Sequence, residues 1–401
     1  MSKKICFFIL AMPFIMVMSI LRPFILVRLG LVDIGRFGGV YDAEWYLAER
    51  AAGIHQKRSF DLFFFFRSTG IISNQFWEKL WKRTLNVFPF WRLGYTLYTL
   101  CHKFQVLHVH IIPLDDVRPI YGKEYKGFIT HHCILKHYQP PVLFTPEEEL
   151  LGKDALEHFG ISQSKPFICF HARDSAYLER IAPNCDWRYH GYRDSDIKNY
   201  IPAAEELMRR GYYTVRMGVF VKEKLSLENP LFIDYAMNGK RTEFLDIYLG
   251  AKCRFFVCSD TGISMVPEVF RRPLVYVNWV PLLRCPAFYV HNALLIPKKF
   301  ILKKEKRELT FREIIFSPIG STFEKGVFDR MGIELIENTP EEITAVALEM
   351  DERFNGRWKT TDEDEELQRR FWKLFESYEL NNPGVRIGAE FLRQHKYLLD
   401  N

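Results

Sequence analysis

The sequence predicts an α/β protein of two doubly wound units behind an apolar N-terminal segment. Three observations predict it. Apolar, strand-like runs alternate with helix-like runs along most of the 401 residues, the pattern of parallel strands joined by crossover helices. The first strand-like run feeds a loop holding Gly30, Gly35, Gly38 and Gly39, and a strand, a glycine-rich loop and a helix open a Rossmann-like unit. The alternation restarts after a helix near residue 145, and a chain this long exceeds one ordinary core.

The elements follow in order. Residues 5–21 are almost unbroken apolar sequence, with Lys3 and Lys4 before them and Arg22 and Arg28 after. Seventeen helical residues reach roughly 26 Å, borderline for a hydrocarbon core, and Pro13 interrupts the run. No small-residue cleavage site follows Ser19, which argues against a secretory signal. A single-pass anchor and a helix lying in the interface both fit; a buried first element is the structural alternative. Residues 23–29 and 61–66 predict strands, and residues 43–52 and 74–83 predict helices. Thr145, Pro146 and three glutamates form the cap and first turn of a helix that ends at Gly160.

Further strands are expected at 167–171, 213–217, 254–258 and 274–277, with helices at 197–210, 242–250 and 263–270. The chain therefore divides into a membrane-associating segment 1–21, a first Rossmann-like domain 22–160, a second 161–345, and C-terminal helices 346–401. The basic run 298–307 reads as a solvated loop, with anionic lipid as the alternative partner. The acidic residues 362–366 open a helix towards Tyr378, and residues 383–399 read as a turn and a terminal helix.

Composition bounds the function. Hydrophobic residues make up 48% and charged residues 26%, which excludes a disordered chain. A net charge of +6 suits an anionic substrate or lipid surface but is too slight for a nucleic-acid footprint. The eight cysteines are scattered, and Cys253 and Cys258, the closest pair, have no partners at zinc spacing. They read as reduced thiols in a reducing compartment, without a metal site.

Ligands of parallel sheets bind at the carboxyl ends of strands, so the chemistry is sought in residues that follow strands. After the strand at 167–171 come His171, Arg173 and Asp174. The planar fork of Arg173 can hold two diphosphate oxygens, His171 can donate a further bond, and Asp174 can steady the arginine or accept from a hydroxyl. A plain surface salt bridge is the alternative. After the strand at 254–258 come Ser259, Asp260, Thr261 and Gly262, where free N–H groups at a helix start attract an anion. Glu268, two turns on, is placed for ribose hydroxyls; simple helix capping by Ser259 or Asp260 is the alternative. Arg216 ends a third strand and is a second candidate for the diphosphate, with an exposed strand-end arginine as the alternative; Tyr192 and Arg193, in the loop before the next helix, are expected to line the same cleft.

Several runs together resemble a family of bacterial glycosyltransferases of surface polysaccharide synthesis. They are FHARDSAYL at 170–178, YRDSDIKNY at 192–200, RRGYYTVRMG at 209–218, FLDIYL through FFVCSDTG at 244–262, and RIGAEFLRQ at 386–394. The Asp260-Thr261-Gly262 turn is more distantly similar to that of heptosyltransferases, and His171-x-Arg173 to the motif of certain fucosyltransferases. Where the family carries Ile-Gly-His, this chain has Ile34-Gly35-Arg36. The resemblance implies two Rossmann-like domains facing across a cleft (GT-B-like), a nucleotide-sugar donor in the second, a glycan or lipid-linked acceptor in the first, and no metal or other cofactor. Cationic groups would then stabilise the leaving diphosphate. An inverting transfer needs a base for the acceptor hydroxyl, and Asp33 in the first loop is the candidate. A nucleotide-sugar epimerase and a non-catalytic donor-binding partner are the competing readings. The expected location is the cytoplasmic face of a bacterial inner membrane.

Overall fold

The computed structural model describes residues 3–55, 58–112, 135, 138–162, 164–181, 183–184, 186–284, 292–376 and 384–400. The chain separates into two compact units, Met1–Phe144 and Thr145–Asn401.

The first unit contains α1 (Lys3–Leu21), β1 (Leu26–Asp33), α2 (Tyr41–Ala51), β2 (Ser59–Phe66), α3 (Gln75–Thr84) and α4 (Trp91–Lys103). β1 and β2 pair in parallel from Leu26↔Ser59 to Asp33↔Phe66, and isolated bridges at Leu29↔Ile111 and Phe63↔Val87 widen the pair on both sides. The first strand starts three residues later than expected and runs through Gly30, which belongs to no loop. A Cβ at Gly30 would stand 2.8 Å from the Phe63 ring, so the glycine permits close strand packing. Helix α1 lays Ala11, Ile15 and Met18 on Val27, Leu29, Leu97 and Leu100. Its remaining surface stays apolar and open, with Ile9, Met16, Val17 and Ile20 each more than half exposed. Among the described residues no helix is long and apolar enough to cross a membrane.

A buried charge cluster ties this unit together. Arg28 on β1 faces Asp61 on β2 in register, with Nε 2.9 Å from Oδ1. A second Arg28 nitrogen donates to Ser59 Oγ at 2.8 Å. The Tyr46 hydroxyl from α2 donates to Asp61, and Arg50 pairs with the same carboxylate.

The second unit contains α5 (Pro146–His158), β3 (Phe167–His171), α6 (Ala176–Ile181), α7 (Ile201–Arg209), β4 (Tyr213–Arg216), β5 (Phe232–Ile233), α8 (Glu243–Lys252), β6 (Phe256–Cys258), α9 (Met265–Val269), β7 (Leu274–Trp279) and β8 (Ala293–Pro297). It continues with β9 (Lys299–Leu302), β10 (Arg307–Glu308), α10 (Phe311–Ile315), α11 (Lys325–Arg330), β11 (Ile333–Ile336), α12 (Pro340–Phe354), α13 (Asp362–Lys373), β12 (Val385–Ile387) and α14 (Ala389–Gln394). Seven strands form one sheet in the order β12-β8-β7-β6-β3-β4-β5, every pair parallel. The chain enters at β3, winds out to β5, and returns to lay β6 on the other side of β3. The junction of β3 and β6 is therefore the switch point of the sheet.

Three departures from the sequence reading have simple causes. The division between units falls before α5, not at residue 160, because α5 packs on α8. Gly152 lies so close to the Tyr248 ring that a Cβ would stand 2.1 Å from it, and Lys252 Nζ reaches Glu149 at 2.6 Å. The basic run is not one solvated loop: Lys298 is buried, with Nζ donating to the Asp194 carbonyl at 2.7 Å. Lys303, Lys304 and Lys306 alone of its lysines stay exposed, at the turn between β9 and β10. The C-terminal stretch is not purely helical, since β12 adds an edge strand to the large sheet. Helix α13 ends at Lys373, and Tyr378 and Pro383 lie outside the described residues.

Glu342 locks the terminal segment to the three-stranded β10-β9-β11 sheet. It opens α12 in a capping box with Thr339 and pairs with Lys299 at 2.9 Å and with His395 at 2.7 Å. Burial alone would raise its pKa, but His395 and Lys299 outweigh it and hold the carboxyl at about 2. A depressed carboxyl stabilises the fold above its unfolded pKa, and that contribution is lost as pH falls towards its folded value. Glu342→Gln should therefore cost about 3 kcal/mol at neutral pH. Melting curves of variant and wild type should converge as pH drops from about 4.5 towards 2; a gap that stays constant would show the pair contributes no charge stabilisation.

Candidate donor-phosphate site

The loops leaving β3 and β6 meet at the switch point. The Arg173 backbone N–H donates to Ser259 Oγ at 3.0 Å, so the serine hydroxyl joins the two loops and caps no helix. Arg173 does not pair with its neighbour Asp174. Its guanidinium reaches Asp194 and donates to the His190 carbonyl at 3.2 Å. Arg193 comes in beside it, with Nε 2.8 Å from Asp260 Oδ2 and a terminal nitrogen 3.1 Å from the Asp260 carbonyl. The two segments expected at the site, 170–178 and 192–200, are thus brought together with the 259–262 turn.

The electrostatics is that of cations held partly out of water. Burial lowers the pKa of Arg173, and Asp194 works against that shift. Burial also opposes the charge of Arg193, but Asp260 and Tyr192 outweigh it and the pKa lies above the ordinary value. Asp194 is pushed up by burial, against Arg173, Lys222 and Lys298. Lys298 is pushed down by burial. Arg173, Arg193, Lys222 and Lys298 stand among Asp174, Asp194, Asp260 and Glu337, a network of balanced charge in a poorly solvated place, where charges interact most strongly.

His171 is anchored by the segment after β4. Burial lowers its pKa and so favours the neutral ring. Nδ1 lies 2.9 Å from the Met217 carbonyl, which can only accept, so Nδ1 carries the proton and Nε2 keeps its lone pair. In the neutral ring the second nitrogen is an acceptor.

The other expected residues make the following contacts. Asp174 accepts from the N–H groups of Ala176 and Lys222 at 2.9 and 3.0 Å, tying two loops. Arg216 is buried and donates to the Glu223 carbonyl at 2.7 Å, with Asp234 at 3.3 Å; it holds the loop between β4 and β5. Glu268 Oε1 takes the Tyr276 hydroxyl and lies 3.0 Å from Ser264 Oγ. The helix expected at 263–270 is a 3-10 turn, Gly262–Ser264, followed by the five residues of α9. Thr261, before that turn, makes no side-chain cap, and Gly262 is exposed. In the first unit both oxygens of Asp33 are engaged: Oδ1 accepts from Gly35 and Ser68 N–H at 3.0 Å, and the Ser68 hydroxyl donates to Oδ2.

Sequence reasoning passed over Asp194 and Lys298. Asp194 adjoins Arg193, and a carboxylate beside a chosen arginine is the signal that was there to use. Lys298 directly follows β8, so the strand-end rule finds it once β8 is recognised.

No family model matches the chain, and no curated protein matches its sequence. Solved structures that match include two glycosyltransferases. A glycosyl transferase family 9 protein from Veillonella parvula DSM 2008 is 12% identical, with a TM-score of 0.40 over 68% of this chain and 87% of its own. The E. coli ADP-heptose lps heptosyltransferase II is 16% identical, with a TM-score of 0.37 over 67% and 90%. At these scores the likeness is slight, and the functional reading rests on the site itself. Among the described residues no group of His, Cys, Asp and Glu could hold a metal ion.

Proposed function

We propose that this protein is a glycosyltransferase whose second unit binds the diphosphate of a nucleotide-sugar donor at the β3–β6 switch point. One observation carries the reading: two strand-end loops are hydrogen-bonded to each other there and present Arg173 and Arg193 side by side. In transfer, negative charge grows on the diphosphate as the sugar bond breaks. Arg173 takes the phosphate oxygens in its fork, Arg193 and Lys298 supply further positive potential, and the Thr261–Gly262 backbone lets the phosphate approach. Asp194 and Asp260 orient the guanidinium groups. Arg216, Asp174 and Glu268 position the loops. Asp33 remains our candidate base for an acceptor hydroxyl, and its bond network has to open for that role.

The acceptor side is proposed to lie at a membrane surface. The open face of α1 continues the apolar character of Trp91 and Tyr95 on α4, both exposed. The first 32 residues and residues 91–112 hold no Asp or Glu, but they do hold Lys3, Lys4, Arg22, Arg92 and Lys103. An apolar face with basic flanks suits an anionic bilayer. The free, buried Cys101, Cys169, Cys253 and Cys258 are consistent with the cytoplasmic side. Met16→Glu with Ile20→Glu should leave the melting temperature unchanged and abolish flotation with phosphatidylglycerol vesicles; undiminished flotation would remove α1 from the membrane role.

The donor reading is tested by thermal denaturation of the full chain with nucleoside diphosphates and sugar nucleotides. Deleting residues 1–21 is unsuitable, because Leu97 and Leu100 would lose their cover. A ligand at about a hundred times its dissociation constant should add about 2.7 kcal/mol. No shift with any nucleotide would overturn the reading.

A further inference from the structure

A groove of about 790 Å³ opens from the same site, between α6, the 3-10 turn Arg188–Arg193 and α11. Asp194, the partner of Arg173, lines it, so groove and phosphate site share a wall. Resting on the donor reading above, we propose that this groove holds the neutral sugar of the donor.

The lining selects for such a group. Asp194 is matched by Arg173; of the remaining lining charges, Glu179, Asp186 and Asp329 face Arg188 and Lys325, three carboxylates against two cations. Both cations are already paired, Arg188 with Asp186 at 2.8 Å and Lys325 with Asp329 at 2.9 Å. A second anion would meet net negative charge, whereas hydroxyl groups can donate to the carboxylates. One wall is aromatic: Trp187 stacks within 14° of parallel on His190 and within 27° on Tyr189, with centroids 6.1 and 6.2 Å away. Flat carbon surface beside acidic acceptors matches the two faces of a sugar ring, apolar C–H and polar O–H. The volume lies within the usual range for small-molecule sites, roughly 300–1,000 Å³. The diphosphate end stays with Arg173 and Arg193, so one ligand spans both.

The test compares dissociation constants of UDP with UDP-glucose, GDP with GDP-mannose, and dTDP with dTDP-glucose, by calorimetry on the full chain. One conjugate should bind more tightly than its parent diphosphate. Trp187→Ala should erase that increment, about tenfold for a lost contact of about 1.4 kcal/mol, and leave the parent diphosphate unchanged. Asp329→Asn, a conservative change at an exposed position, should erase part of it and keep the fold. Equal weakening of diphosphate and conjugate would put the base in the groove and overturn the proposal. No change in either variant, or no conjugate tighter than its parent, would also overturn it. Failure of every nucleotide to bind wild type would instead defeat the donor reading, and the groove assignment with it.

Discussion

Arg173→Ala should abolish nucleotide-dependent stabilisation. The guanidinium is the group best placed to meet a diphosphate, and its charge-assisted, two-pronged bonds are the strong kind. Their loss should weaken binding by about two orders of magnitude, or about 2.7 kcal/mol. Without ligand the variant should stay folded, because Lys222 and Lys298 still face Asp194. Arg173→Lys should recover only part of the affinity, since an ammonium keeps the charge and loses the fork. Calorimetric titration of the three proteins with the nucleotide that stabilises wild type best decides the matter. Equal affinities would make Arg173 a structural ion-pair partner of Asp194 and nothing more.

Asp61→Ala should be the most damaging single change in the first unit. It strands Arg28, whose side chain is 6% exposed, without its carboxylate, and removes the acceptor of Tyr46 as well. Breaking a buried pair from one side costs about 3–5 kcal/mol, because the remaining charge stays out of water. Burial already lowers the Arg28 pKa, with the Tyr46 hydroxyl working against that shift. Replacing both partners, Arg28→Met with Asp61→Leu, should recover much of the loss. Urea unfolding of the single and double variants measures it. A double variant no better than Asp61→Ala would show that the strands need the pair for register and not only for charge balance.

What was legible in the sequence was whatever is local. The start of α5 could be read because Thr145, Pro146 and the glutamates that follow are neighbours in the chain, and β3 and β7 because their apolar runs are continuous. The strand-end rule selected Arg173 and Ser259, which the fold brings into contact across 86 residues. The partners that decide each charge's role were not legible. Lys298 looks like the head of a basic run until Asp194, 104 residues earlier, accepts from it. Arg216 looks like an exposed strand end until the loop at Glu223 folds over it. Gly30 looks like part of a glycine loop because nothing in the sequence announces the Phe63 ring beneath it. β12 is only three residues long, too short to show a period.

The placement of β12 bears on how the chain is made. β8 is apolar and buried throughout, and one of its two neighbours is β12, paired at Val385↔Ala293. Some 90 residues must leave the ribosome after β8 before that neighbour exists, roughly five to twenty seconds at ordinary synthesis rates. During that interval β8 is an uncovered edge strand, a template for pairing with another nascent chain. Premature termination between β8 and β12 should therefore yield aggregates, not a smaller soluble protein, and slower translation of this stretch should lengthen the hazard.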